Sequence, residues 1–113
     1  MNRTREDQEG DLMSKITEFA KGQCCTARIP GVCNHNPATS VWAHINSLRW
    51  GAGKGNKSPD ICGLVACSDC HDAIDWRVSK NKNGELLDPE FVRICAYQGH
   101  FESLWLLTKA GVI

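Results

Sequence analysis

Four cysteines arranged in two pairs constrain this chain more than any other feature. In "CSDCH", residues 67–71, Cys67 and Cys70 have the C-x-x-C spacing of a metal knuckle. Upstream, "CCTARIPGVC" offers a second pair, Cys25 and Cys33, on either side of a Pro30-Gly31 turn that can bring their sulfurs together. Cys24 and Cys25 are adjacent, so their side chains point apart and only one suits a tetrahedral site; Cys25 closes the shorter loop to Cys33. The chain has 113 residues and 42% hydrophobic content, enough for one modest core that benefits from a staple. The expectation is therefore a structural zinc (Zn2+) held by Cys25, Cys33, Cys67 and Cys70, with Zn–S distances of about 2.3 Å.

The same five letters also spell a c-type haem attachment peptide. The opening "MNRTREDQEGDLMSK" has no continuous apolar core or small-residue cleavage site, and no later run is long enough to span a bilayer, so the chain reads as cytoplasmic and not membrane-bound. Haem is then disfavoured, because it is attached outside the cytoplasm and because Met1 and Met13 are badly placed as distal ligands. Seven cysteines, an odd number in a reducing compartment, also argue against a disulfide framework. Cys62 and Cys95 lie in apolar surroundings and read as core residues. Two alternatives stay open: His71 replacing Cys25 or Cys33 in a three-cysteine, one-histidine site, and His35 competing for the same ion.

Local patterning places these residues on elements. Residues 1–10 read as a flexible polar tail, and 11–113 as a single domain. From Asp11, Leu12, Ile16, Phe19 and Ala20 form a helical stripe closed by Gly22. "TSVWAHI" alternates as a strand, with Val41, Ala43 and Ile45 on one side and Trp42 and His44 on the other. Residues 46–60 form a long loop, and "ICGLVAC" a second extended piece. Ser68 is the expected cap of a helix through "DCHDAIDWRVSK". Asp88 caps and Pro89 opens a last helix with Phe91, Ile94, Cys95, Phe101 and Trp105 as its expected buried face, a bend at Gly99 and a stop at Gly111. His100 has no evident partner.

Thirteen basic residues balance thirteen acidic ones, so net charge does not point to nucleic acid. Charge is uneven locally. Arg49, Lys54 and Lys57 occupy a stretch without an acidic residue from Asn46 to Ser58, where Gly51, Gly53 and Gly55 let backbone amides approach phosphate. The spacing is not that of a Walker loop. Trp42 lies just ahead of this stretch and Trp50 within it, with base stacking and core packing both open to them.

In order, "CCTARIPGVC", "SVWAHI" and "ACSDCHDAID" resemble the small YbcO-type prophage proteins and, more distantly, the zinc-containing HNH, or His-Me finger, endonucleases. The resemblance covers about residues 20–80 most strongly. It implies an α+β fold, a small zinc-stapled ββα-metal domain with flanking N- and C-terminal helices, and a metal-dependent endonuclease acting on DNA. It assigns the general base to His44 and a catalytic Mg2+ or Mn2+ to His71. Asp75, four residues after His71 and on the same helical face, shares that ion or orients the imidazole, whereas Asp72 is turned about 100° away. The chain departs from the family pattern at Ala43, where many such sites carry an aspartate; Asp60 lies in the region of the motif's middle residue. The competing expectation is a noncatalytic zinc module that binds nucleic acid or protein.

Overall fold

The fold is built on a two-stranded antiparallel sheet, β1 (Val41–His44) against β2 (Gly63–Ala66), in the register Val41↔Ala66, Trp42↔Val65, Ala43↔Leu64 and His44↔Gly63. The structure is a computed structural model that describes residues 5–53 and 58–113. Two strands alone are marginal in water, so both faces must be covered. Strand alternation divides the core accordingly: Ala43, Leu64 and Ala66 join a cluster containing the two cysteine pairs, Ile29, Val32, Val92 and Cys95, while Trp42 and Val65 join Ile16, Ala20 and Leu107 on the other side. Burial on both faces is why β2 reads as a continuous apolar run and is buried along its whole length. At Gly63 the strands leave no room for a side chain, since a Cβ there would lie 2.5 Å from Trp42 Nε1 and 2.6 Å from the Ala43 carbonyl oxygen.

Helix α1 (Arg5–Ala20) packs against β1 and begins at Arg5, six residues ahead of the expected start at Asp11. Helix α3 (Pro89–Lys109) starts as expected, with the Asp88 carboxylate accepting the Glu90 N–H and Pro89 in the first turn. It stops as expected at Gly111, whose φ of +75° allows the Val112 N–H to reach Leu107 O and the Gly111 N–H to reach Thr108 O.

The buried face of α3 differs from the expected one. Phe91, Ile94, Phe101 and Trp105 remain 45%, 48%, 71% and 58% exposed, and the buried positions are Val92, Cys95, Ala96, Gly99, Ser103 and Leu107. The reason is the edge of β2 that β1 leaves unpaired, where backbone groups need partners. The Val65 N–H donates to Ser103 Oγ at 3.0 Å, His100 Nδ1 reaches Gly63 O at 2.7 Å, and Val65 O accepts from the Thr26 N–H at 2.9 Å and the Thr26 hydroxyl at 2.7 Å. Ser103 Oγ lies 3.2 Å from Thr26 Oγ1 and closes a small ring of hydrogen bonds. Covering a strand edge takes close approach and hydrogen-bonding groups, which small and polar side chains supply and large apolar ones block. Gly99 marks this close approach and does not interrupt the helix. His100, without an evident partner in the sequence, is a donor to the same edge.

Candidate metal centre and adjoining cleft

The ligand atoms of Cys25, Cys33, Cys67 and Cys70 lie within 4.8 Å of one another, and all four residues are buried. Cys33 and Cys67 sulfurs are 3.9 Å apart, close to the edge of about 3.8 Å of a tetrahedron with Zn–S bonds of about 2.3 Å. Cys24 is exposed, so Cys25 contributes the sulfur. Each knuckle is held by its own backbone: the Arg28 N–H points at Cys25 Sγ (3.5 Å) and the Cys70 N–H at Cys67 Sγ (3.4 Å), a pattern that orients thiolates toward a cation. The turn between Cys25 and Cys33 uses Gly31 at φ +73°, with a Lys82 N–H bond to Gly31 O and Lys82 Nζ on Cys33 O.

Three of the four thiols are shifted from the ordinary range. A hydrogen bond from the Cys70 side chain lowers Cys25 to about 4, while the same contact and burial push Cys70 far upward; burial raises Cys33 to about 11. Four thiolates in so small a space repel one another unless a cation sits among them, and a soft dication suits four sulfurs. The donor set fits zinc. Neither His71 nor His35 belongs to the cluster, although His35 Nδ1 lies 3.6 Å from Cys33 Sγ. Cys95 is buried as expected, and Cys62 is only partly so.

A cleft of about 740 Å3 opens beside this cluster, lined among others by His44, Arg49, Trp50, Asp75, Trp76 and Arg93. His44 ends β1, with its side chain 15% exposed. Its Nε2 is buried without a hydrogen-bond partner among the described residues, and Asp60 Oδ1 is 3.7 Å away. Ala43 faces the apolar cluster on the cysteine side and is fully buried.

Helix α2 (Ser68–Ile74) is shorter than expected, and its cap is Cys67 in place of Ser68. A residue of the thiol cluster thus also starts the helix. His71 and Asp75 meet one turn apart, Nε2 to Oδ2 at 3.0 Å, and Arg77 Nη1 approaches the same carboxylate oxygen at 3.2 Å. Asp75 lines the cleft; His71 joins it through Asp75. Asp72 faces elsewhere and pairs with Arg77 Nε at 2.8 Å.

The helix ends at Trp76, whose φ is +59°. The Arg77 N–H bonds to Asp72 O at 2.9 Å and the Trp76 N–H to Ala73 O at 3.2 Å, the same pair of bonds that ends α3 around Gly111. A bulky residue in this left-handed position costs about 1–2 kcal/mol relative to its ordinary conformation.

The basic loop is cinched at its base. Ser58 is buried and donates its N–H to Asn46 Oδ1 while its hydroxyl accepts the Ser47 N–H. Ser47 caps a 3-10 turn at Leu48–Trp50, and Trp50 Nε1 bonds to Ile45 O at 2.6 Å, which places Arg49 and Trp50 on the cleft. Trp42, in contrast, is a core residue with Nε1 on Asp60 O. Lys54 and Lys57, with Gly55, lie outside the described residues. The sequence reading missed Arg93, Tyr97 and Trp76 as cleft residues: the first two stand on a helix read only for its apolar spacing, and Trp76 follows a helix end that carries no glycine to mark it.

These features define a small α+β protein whose four clustered thiols could bind a metal such as zinc, with a cleft lined by both polar and apolar residues. The chain belongs to the family described as "Putative nuclease YbcO", which matches residues 14–112. Proteins of that name from Escherichia coli K12 and from Enterobacteria phage 82 are each 42% identical over 101 residues, covering 89% of this chain and 98% of their own length. A solved structure described as a "putative bacteriophage protein" from Escherichia coli K-12 is similar with a TM-score of 0.66 and 39% identity, covering 84% of this chain and 98% of its own. Among the described residues, no helix is long and apolar enough to cross a membrane.

Proposed function

We propose that the chain is a metal-dependent endonuclease of the HNH, or His-Me finger, type that hydrolyses phosphodiester bonds in DNA, with a structural zinc on Cys25, Cys33, Cys67 and Cys70. The observation that carries this reading is the convergence of His44, with an unpartnered imidazole nitrogen, and Asp75, with His71 behind it, on one cleft that Arg49 also lines. The relatives' name supports a nucleic-acid substrate. His44 takes the proton of the attacking water on its imidazole, and the Asp60 carboxylate, 3.7 Å from the buried Nε2, stabilises the imidazolium that results. Asp75 and His71 bring a carboxylate and an imidazole within 3.0 Å of each other, and these two side chains would hold the catalytic divalent ion. Mg2+ or Mn2+ bound there supplies charge stabilisation at the phosphoryl oxygen and the departing alkoxide. Arg49, with Lys54 and Lys57 from the same loop, holds flanking phosphates.

Two substitutions separate these roles. His44→Ala is expected to lower turnover by about 10²- to 10⁴-fold with zinc content and Mn2+ affinity intact. His71→Ala is expected to raise the Mn2+ concentration needed for cleavage, with partial recovery in excess metal and zinc still in place. Cleavage of supercoiled and linear DNA with Mg2+ or Mn2+, beside elemental analysis, reads both. DNA binding without cleavage by the wild-type protein would leave a noncatalytic zinc module, and loss of zinc from His71→Ala would make His71 a structural ligand.

A further inference from the structure

Trp76 is unusual in two independent ways. Its backbone sits in the left-handed position that ends α2, where the equivalent position of α3 is Gly111 and where the hydrogen bonds require no side chain. Its side chain is not used to fill the core, since the residue is 49% exposed and lines the cleft next to Asp75. Backbone geometry would favour glycine or asparagine, and core packing would favour burial; neither accounts for an indole here. Strain of this kind at the rim of a cleft is where binding function concentrates.

The surroundings define the ligand chemistry. Arg49 and Arg93 line the cleft from two separate elements, and Tyr97, 39% exposed, adds a second aromatic residue on α3. Cations spaced with exposed aromatic rings are the pattern that binds a single nucleic-acid strand, with phosphates on the cations and bases against the rings. A duplex keeps its bases stacked inside and offers an exposed indole nothing comparable.

Building on the endonuclease reading, we infer that Trp76 is a stacking platform for an unpaired nucleobase beside the scissile phosphate, so that the cleft takes single-stranded DNA or a locally unpaired strand in preference to intact duplex. Trp76 touches substrate as a binding residue and carries no proton. Arg93 pairs with the phosphate next to that base.

The test is binding measured by fluorescence anisotropy with a labelled mixed-sequence single strand, the same strand with abasic sites throughout its centre, and the matching duplex, in zinc-loaded protein without Mg2+ or Mn2+. The wild-type protein is expected to bind the single strand more tightly than the duplex or the abasic strand. Trp76→Gly is expected to weaken single-strand binding by about 5- to 150-fold and abasic-strand binding little, and Trp76→Phe to recover most of the loss. Equal affinity of the wild-type protein for the normal and abasic strands would overturn the inference, with no variant needed should Trp76→Gly fail to fold. Equal weakening of both strands by Trp76→Gly would overturn it as well. Tight duplex binding and cleavage with no preference for the single strand would sink the stacking role and leave the endonuclease reading standing, whereas absence of binding to any DNA would remove both.

Discussion

Gly99→Ala is the sharpest test of how α3 is seated. In an ordinary helix interior, replacing glycine by alanine stabilises by about 1 kcal/mol. At position 99 the new methyl carbon would lie 2.6 Å from Leu64 Cδ1, 2.9 Å from Thr26 Oγ1 and 3.1 Å from the Thr26 carbonyl carbon. None of these can step aside easily: Leu64 is fully buried, and Thr26 is bound to Val65 O, Gly99 O and Ser103 Oγ. Overpacking of this kind costs about 1–3 kcal/mol, and with two contacts inside 3 Å on fixed neighbours the upper part of that range applies. Offset by the propensity gain, the net loss is about 1–2 kcal/mol, a fall in thermal midpoint of about 5–15 °C for a domain of this size. Thermal and urea unfolding of the zinc-loaded protein, followed by far-ultraviolet circular dichroism, measures it. Arg93, Ala96 and Tyr97 on the same helix line the cleft, so DNA affinity should weaken in parallel. A Gly99→Ala protein more stable than wild type would show that α3 lifts from β2 without cost and that the edge-capping account is wrong.

Elemental analysis of purified protein is expected to give one zinc per chain, and Cys67→Ser to lose it together with cooperative unfolding, because apparent binding energies of about 10–16 kcal/mol for structural zinc match or exceed the whole stability of a small domain, about 5–15 kcal/mol; a folded, metal-free Cys67→Ser protein would rule out the cradle's structural role. Replacing Arg49, Lys54 and Lys57 together by alanine is expected to flatten the logarithmic salt dependence of duplex DNA binding by about 0.9 for each phosphate contact removed, and an unchanged slope would mean that the loop does not touch phosphate.

Features set by short-range chemistry were legible in the sequence, and those set by a strand edge were not. Cys25, Cys33, Cys67 and Cys70 announced themselves by spacing, the strand around His44 by alternation, and α3 by Asp88-Pro89 at one end and Gly111 at the other. The face of α3 was misread because hydrophobicity predicts burial only where a helix packs on apolar side chains, whereas here it also supplies Ser103 and His100 to backbone groups of β2. The end of α2 was misread because the left-handed residue is tryptophan, which carries no turn signal. Cys67 as the cap of α2 carries no such signal either, because sulfur is not among the usual capping groups whereas the adjacent serine is.

The short length of α2 ties the cysteine cluster to the cleft. Seven residues span only about 10 Å and cannot hold a helix in water without tertiary support. Its first turn is fixed by Cys67 and Cys70, whose sulfurs sit in the four-thiol cluster, and its last turn by the bonds of Trp76 and Arg77 to Ala73 and Asp72. Asp75 and Trp76 stand immediately beyond that last turn, so anything that tightens the thiol cluster also fixes where this side of the cleft lies. The opposite side has supports of its own besides the shared core: His44 is held by its pairing with Gly63, and Gly63 is held from behind by His100 on α3. A metal bound at the thiols would therefore help to position Asp75 against His44 without itself taking part in the proton transfer that His44 is proposed to perform.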